Sequence, residues 1–274
     1  MASTARIRRA VRIWWALQRA AVRARFQYRL DVLIGVLMGI AYQGSGFAFV
    51  WIVLARFHTL GGWTFGQVGF LYGMRLVAHA LWLVPFGSVS IGLDRVVREG
   101  EFDRYLLRPV NPLVQAMTAE ARSGPFGDLV TGVGILAAAA SRAGVDWSPL
   151  ALGYCALAVA GGALVECSAQ LALSALTFRL LETQPLRWFV DDLFGYFGSY
   201  PMRIFGTGTE WALTVLVPVA FVAYLPASVL LGRSDQLRVA PAVAYAAPLL
   251  GVVTFTLAYR LWKGQLRAYQ SAGH

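Results

Sequence analysis

The sequence predicts an all-α polytopic membrane protein with six transmembrane helices, an N-terminal amphipathic interfacial helix and a re-entrant helical hairpin before the last span. Three observations predict this fold class. Only 14% of the 274 residues are charged, against about 25% in typical soluble domains. The mean hydropathy is +0.58, and several uncharged runs of about 20 residues match the thickness of a bilayer. These features exclude an ordinary water-soluble domain and predict one transmembrane domain over 30–263.

The segment 1–29 is predicted to form an amphipathic connecting helix on the cytoplasmic membrane surface. From Ile7 to Tyr28, apolar residues recur every three or four positions, whereas arginines occupy another stripe. Eight arginines precede the first acidic residue, Asp31, and carry most of the net charge of +10. On such a helix they face anionic headgroups, so the expected partner of this charge is membrane lipid and not nucleic acid. A solvated basic tail is the alternative.

Six apolar stretches are predicted to span the membrane. They cover about 30–55, 65–91, 125–140, 150–178, 188–205 and 241–262. A seventh stretch, 211–231, is interrupted by Pro218 and Pro226, and proline breaks or kinks helices. We therefore assign the region 209–232 to a re-entrant hairpin, with a proline-kinked span as the alternative.

The distribution of basic residues predicts the orientation. If both termini and the segments 92–112 and 179–187 share one face, most basic residues lie on that face. The opposite face then carries five arginines: Arg56, Arg142, Arg203, Arg233 and Arg238. Because the positive-inside rule assigns the basic face to the cytoplasm, both termini are expected to be cytoplasmic. This orientation requires an even number of spans, and 264–274 becomes a cytoplasmic tail.

Motifs for ATP or metal chemistry are absent from the sequence. A Walker A loop needs a lysine after glycine, but the single lysine, Lys263, follows Trp262. The three histidines, His58, His79 and His274, are far apart, and none belongs to an H-E-x-x-H motif. We expect this chain to bind no cofactor and to have no catalytic site of its own.

Four ionisable side chains fall within the predicted spans: Arg75, His79, Asp128 and Glu166. An unpaired charge is costly in hydrocarbon, so Arg75 is expected to pair with Glu166 or Asp128. Two interpretations of the group remain open, namely a polar lining of a substrate path or proton relay, and an ion pair that fixes helix packing. Asp191 and Asp192 lie either at the interface or beside cytoplasmic arginines.

The segment 92–112 contains four arginines and four acidic residues between two apolar stretches. It is predicted to form a short amphipathic helix that ends at Pro109 and Pro112. Its apolar face comprises Val96, Val97, Phe102, Tyr105, Leu106 and Leu107. Such a helix offers charged and aromatic contacts to a soluble partner, and a solvated loop is the alternative.

Residues 98–112, REGEFDRYLLRPVNP, resemble the cytoplasmic segment of type-2 ABC exporter permeases, also called ABC-2 type permeases. The resemblance is to the subgroup encoded with a separate ATPase and often with a second permease. Further runs are similar to the same subgroup at 200–205, 217–221, 224–227, 262–264 and 269–273.

The resemblance implies a half-transporter in the cell inner membrane that works with a dimer of cytoplasmic ABC ATPase subunits. ATP and Mg²⁺ bind to those subunits, and a second copy or a related permease completes the path. The residues implied in coupling to the ATPase are Arg95, Arg98, Glu99, Glu101, Phe102, Asp103, Arg104, Tyr105, Leu106 and Arg108.

Two other functions are compatible with the residues alone. One is an ion-coupled secondary transporter that uses Arg75, His79, Asp128 and Glu166, and the other is a non-transporting membrane scaffold.

Overall fold

The protein is mostly helical. The computed structural model describes the backbone of residues 2–269 and the side chains of residues 12–269. The helices are α1 (Ala2–Phe26), α2 (Arg29–Phe57), α3 (Phe65–Arg98), α4 (Asp103–Leu106), α5 (Pro112–Met117), α6 (Gly124–Ala140), α7 (Pro149–Leu180), α8 (Gln184–Gly198), α9 (Thr207–Trp211), α10 (Tyr224–Leu230), α11 (Pro241–Tyr245) and α12 (Ala247–Arg267). Two short strands, β1 (Thr59–Leu60) and β2 (Trp63–Thr64), form an antiparallel hairpin.

Three described helices, α2, α3 and α7, are long and apolar enough to cross a membrane. A fourth span is added if the bent pair 207–216 and 219–230 is counted as one. Each predicted span contains a helix, but α6 has 17 residues and α8 has 15. At 1.5 Å per residue these helices measure about 26 and 23 Å, less than the hydrocarbon thickness of about 30 Å. The six-span count therefore stays a prediction.

The long helices pack side by side in the order α2, α6, α3, α7 and α12. Glycine permits the close contact between α7 and α12. A Cβ atom on Gly251 would overlap the carbonyl oxygen of Gly161, and one on Gly161 would lie 2.5 Å from the Cα atom of Pro248. Small residues at such contacts let helix backbones approach closely, which favours association inside a membrane.

Replacing Gly251 with valine is expected to lower the free energy of unfolding by about 1–3 kcal/mol, because the added methyl groups force α12 away from α7. Gly264→Val is the matched control, since a Cβ atom on Gly264 of the same helix meets nothing within 4 Å. Thermal unfolding of the two purified variants in detergent measures the difference. Equal midpoints for both variants would contradict this packing.

The region 207–230 is broken, as the sequence predicts. The helical pieces on either side of Pro218 are bent by 78°, and the piece before it includes a π-helical turn over Ala212–Leu216. Pro226, however, does not break the chain. It lies in the first turn of α10, where a missing N–H removes no intrahelical bond. Whether this region is re-entrant stays a prediction.

The β hairpin and the loop after α10 meet at one end of the molecule. Gly61 and Gly62 have φ angles of +58° and +82°, which glycine adopts at no steric cost and which form the tight turn between the strands. Arg233 donates a hydrogen bond to the carbonyl of Gly62 at 2.8 Å, and its guanidinium lies 5.5 Å from the ring of Trp63.

The N-terminal helix α1 contacts the helix that follows it and the interior of α3. Arg25 forms an ion pair of 2.6 Å with Asp31 at the start of α2. Gln18 donates a hydrogen bond of 3.3 Å to the carbonyl of Pro85. Trp14 packs against a buried apolar cluster that includes Val89, Leu93 and Phe102, whereas 56% of Trp15 is exposed. The helix α12 runs to Arg267, into the predicted cytoplasmic tail 264–274, and 270–274 lie outside the described residues.

Candidate functional site

The segment 92–112 differs in secondary structure from the sequence prediction. Because α3 continues to Arg98, Val96 and Val97 lie on its last turns. Gly100 then turns the chain with a φ of +68°, and only the single turn α4 follows. Pro112 begins α5 instead of ending a helix, a position that suits proline because the first helical N–H has no partner. The prediction of one short amphipathic helix in 92–112 is therefore wrong, because the segment contains the end of α3, the single turn α4 and the start of α5.

Phe102 attaches this segment to the transmembrane helices. Its side chain is fully buried, and its ring centroid lies 4.9 Å from that of Phe178 on α7 and 5.3 Å from that of Tyr269. Burial, together with the neighbouring carboxylate of Asp103, raises the pKa of Tyr269 to about 12. The burial of Phe102 leaves it no surface for a partner, so any part it has in coupling lies in positioning its neighbours.

Apart from Asp94, the charged residues of the segment are exposed or half-buried. The exposed residues assigned to coupling are Arg95, Arg98, Glu99, Arg104, Leu106 and Arg108. The half-buried ones are Glu101, Asp103 and Tyr105. Leu107 adds an apolar side chain that is 85% exposed. Arg98 pairs with Glu182 at 3.4 Å, so the outer surface also includes the turn between α7 and α8.

A buried polar network, which we call the Asp94 joint, includes the first part of this segment. The Asp94 carboxylate accepts hydrogen bonds from the Thr177 hydroxyl at 2.7 Å and from the backbone N–H groups of Thr183 and Gln184 at 2.8 Å each. Arg187 donates to it from Nη1 at 2.9 Å. The joint therefore connects the end of α3 to the end of α7 and to the N-terminus of α8.

Arg187 is the least expected member of this joint. Its side chain is fully buried, and its Nε donates to the carbonyl of Ser90 at 2.7 Å. The polar composition of 179–187 suggests a solvated cytoplasmic loop, but the fold places Arg187 inside the protein. The carboxylate of Asp94 compensates its charge, as burial of an arginine requires.

The intramembrane cluster forms around Glu166, near the middle of α7. Its carboxylate lies 2.8 Å from Nδ1 of His79 and accepts a hydrogen bond from Nε1 of Trp82 at 2.6 Å. Arg75 lies with its Nε 3.6 Å from the same carboxylate. Only 1% of the Glu166 side chain and 7% of the Arg75 side chain are exposed. Of the two expected partners for Arg75, the structure selects Glu166.

The two remaining carboxylates near this cluster occupy different places. Asp128 of α6 is buried near Gln43 of α2 and forms no described ion pair with Arg75. Asp191 lies on the second turn of α8, with Oδ1 4.0 Å from Nδ1 of His79. It therefore lies at the edge of the intramembrane cluster and not beside a cytoplasmic arginine.

A cavity of about 410 Å³ opens between α2, α3 and α8, with Arg75 and His79 at its base. We call it the α2/α8 cavity. Its other polar and aromatic lining residues are Tyr42, Gln43, Ser45, Phe49, Tyr72, Asp191, Asp192, Tyr196, Ser199 and Tyr200. The cavity is thus lined by acidic and aromatic side chains at the depth of the predicted spans.

A comparison with protein families matches residues 40–273 to the family described as ABC-2 family transporter protein. The chain belongs to this ABC-2 family. The match includes α3, α7, the segment 92–112 and the α2/α8 cavity, and it confirms the family that residues 98–112 resemble. Searches of curated proteins and of solved structures find no match.

Membership in the ABC-2 family makes the chain a multi-pass membrane component of an ABC transporter. The sequence predicts Arg75, His79 and Glu166, which the structure brings together, and Asp128, which forms no described ion pair with Arg75. Neither Trp82 nor the Asp94 joint is predicted from the sequence. The spacing of Trp82, three residues after His79 on the same helix face, is a signal that could have predicted its place in the cluster. No local pattern predicts the Asp94 joint.

Proposed function

We propose that this ABC-2 permease forms the translocation path of an exporter as a homo- or heterodimer and is driven by a separate ATPase. The observation that carries this proposal is the construction of the segment 92–112. Apart from the buried Asp94, its charged side chains are exposed or half-buried, while Phe102 is buried between α7 and Tyr269. Such a segment can transmit the movement of a docked protein to the helices.

In this mechanism the permease supplies no chemistry. The partner ATPase dimer binds ATP and Mg²⁺, and its closure displaces the segment 92–112 and the adjacent helix α1. Because α3 runs without a break from this segment to the α2/α8 cavity, displacement of its cytoplasmic end changes access to the cavity. The permease lies in the inner membrane with both termini in the cytoplasm.

A second permease is proposed to cover the open side of the α2/α8 cavity. Large aromatic side chains of α2 and α8 that line it are exposed, including Phe49 and Tyr196 at 59% and 66%. The broken region 207–230, proposed as a re-entrant hairpin, closes the end of the cavity that faces away from the cytoplasm. An ion pair of 3.3 Å between Glu210 and Arg238 holds this region in place.

The proposal predicts that Glu101→Arg combined with Arg104→Glu abolishes coupling without unfolding the helices. The tagged permease is purified from membranes of its native host, the ATP-binding subunit is identified by its Walker A peptide in mass spectrometry, and MgATP hydrolysis is measured. We expect the variant to lose at least nine-tenths of the co-purified ATPase, because reversed charges repel the docking groove that the wild-type charges fit.

The matched control is Arg142→Glu combined with Asp235→Arg, two exposed residues outside the segment 92–112. This control is expected to retain the ATPase. Thermal unfolding of each permease alone verifies that its helices are intact. Normal recovery of ATPase and normal hydrolysis by the Glu101 and Arg104 variant would refute docking through this segment.

A further inference from the structure

The α2/α8 cavity carries an excess of negative charge. Of the ionisable groups at its base, Arg75 is paired with Glu166. Asp191 lies with Oδ1 4.0 Å from Nδ1 of His79. Within residues 12–269, no cationic side chain lies within ion-pair distance of Asp192. At least one carboxylate therefore faces the cavity without a fixed cation.

The excess of negative charge is significant because Asp191 and Asp192 lie at the depth of the predicted spans. Asp191 and Asp192 lie about 10–12 Å along α8 from its first residue, at 1.5 Å per residue, and α8 packs against α3 and α7, which are long enough to span. Carboxylates at membrane depth are costly and are retained where they contact an ion or a substrate. The negative charge of Asp191 and Asp192 therefore favours a positively charged ligand in the cavity.

The walls of the cavity define a second property of this occupant. Five aromatic side chains line it: Tyr42, Phe49, Tyr72, Tyr196 and Tyr200. Tyr72 is fixed by a hydrogen bond of 3.1 Å from its hydroxyl to the carbonyl of Gln43. Aromatic faces attract organic cations and bury their apolar groups, whereas a small hydrated metal ion gains little from them.

We propose that the α2/α8 cavity is a binding site for a lipophilic organic cation, a molecule with delocalised or quaternary positive charge and aromatic or alkyl groups. This inference rests on the proposed function, because such a cation would be the transported substrate. A cavity of about 410 Å³ falls within the range of sites that hold small organic ligands. Asp191 and Asp192 attract the charge, and the tyrosines enclose the apolar groups.

Binding is tested on the purified permease in detergent by isothermal titration calorimetry, in separate titrations with three probes of similar shape. They are tetraphenylphosphonium, a cation, tetraphenylborate, an anion, and triphenylphosphine oxide, which is neutral. We expect saturable binding of tetraphenylphosphonium, and binding of the other two that is at least tenfold weaker. Equal binding of the anion, or no binding of the cation, would overturn the proposal.

Three variants locate the site. Asp191→Asn with Asp192→Asn is expected to weaken tetraphenylphosphonium binding at least tenfold, whereas Asp191→Glu with Asp192→Glu retains it within about threefold. The control, Asp146→Asn with Asp235→Asn, removes two exposed carboxylates outside the cavity and leaves binding unchanged. If the first variant fails to fold, Tyr196→Ala decides the question, with the same loss expected.

Unchanged affinity in the folded asparagine or Tyr196 variant contradicts the cation site. The titrations need no ATPase, so a negative result does not affect the proposed coupling. Conversely, loss of the ATPase from the native complex, measured as described above, leaves the binding result unchanged. The two proposals therefore fail separately.

Discussion

Replacing Glu166 with alanine is expected to lower the free energy of unfolding by about 3–5 kcal/mol, the cost of removing one partner of a buried ion pair. The carboxylate is 1% exposed and is shared by Arg75, His79 and Trp82. Its removal leaves the buried guanidinium of Arg75 without its ion-pair partner, and the N–H of Trp82 without its acceptor. Thermal unfolding of the purified variant in detergent gives the size of the effect.

A second variant separates a structural role from a transport role. Arg75→Met combined with Glu166→Leu removes both charges, and replacing a buried pair by apolar groups is often neutral or stabilising. We expect this double variant to regain most of the stability that Glu166→Ala loses. Transport by the intact complex then shows whether the cluster also has a part in the path.

Glu182→Ala is the matched control for Glu166→Ala. It removes a carboxylate from the exposed pair with Arg98, and exposed pairs contribute about 0–1 kcal/mol. If Glu166→Ala is no more harmful than Glu182→Ala, the cluster does not hold α3 against α7.

Local sequence signals predict where most helices begin. Ser148 accepts a hydrogen bond from the backbone N–H of Ala151, and Pro149 opens α7, a combination typical of helix N-termini. Thr64 and Gln67 form a capping box at the start of α3. These signals lie within a few residues of the boundary they set, which is why they are visible in the sequence.

The end of α3 could not be predicted in the same way. A rise in polarity after Ile91 suggests that the helix ends there, yet it continues to Arg98. Its continuation depends on contacts with distant residues, since Asp94 bonds to the N-terminus of α8 and Val97 packs near Phe102 and Phe178. Polarity in a single segment carries no information about such partners.

The candidate site, too, is predictable from the sequence only in part. The spacing of Arg75 and His79 and the presence of an acid in another span predict an ion pair, because an isolated charge in hydrocarbon is costly. Which acid pairs with Arg75 depends on the packing of α3 between α6 and α7. The same packing, with α8 alongside α3, brings Asp191 to the cavity, and the sequence alone leaves its position open.

Replacing Arg187 with alanine is expected to cost about 3–5 kcal/mol of unfolding free energy, because the buried carboxylate of Asp94 loses its only cationic partner in the described part of the chain. The two backbone N–H groups of Thr183 and Gln184 still bond to it but carry no charge. Thermal unfolding in detergent measures the loss. Arg179→Ala, an exposed arginine near the end of α7, is the control and should change stability by less than about 0.5 kcal/mol.

Arg187→Lys tests the geometry of the joint separately from its charge. The guanidinium reaches the carbonyl of Ser90 through Nε and the carboxylate of Asp94 through Nη1. A lysine ammonium is a single point of donation on a flexible stem and does not reproduce this fork. We expect a stability between those of the wild type and Arg187→Ala, and faster hydrogen exchange at the amides of Thr183 and Gln184. Wild-type exchange in Arg187→Lys would contradict a role for the fork in ordering α8.

The position of the Asp94 joint connects this stability effect to coupling. Asp94 lies one helical turn before Arg98, where the segment 92–112 leaves α3, and Arg187 lies one turn before Asp191 in the α2/α8 cavity. In the coupling proposed above, a displacement at the segment reaches α8 through the joint without passing along the full length of α3. If this route operates, Arg187→Lys in the native complex should retain the bound ATPase but reduce transport per ATP hydrolysed. A variant that transports at the wild-type ratio would show that α3 alone transmits the movement.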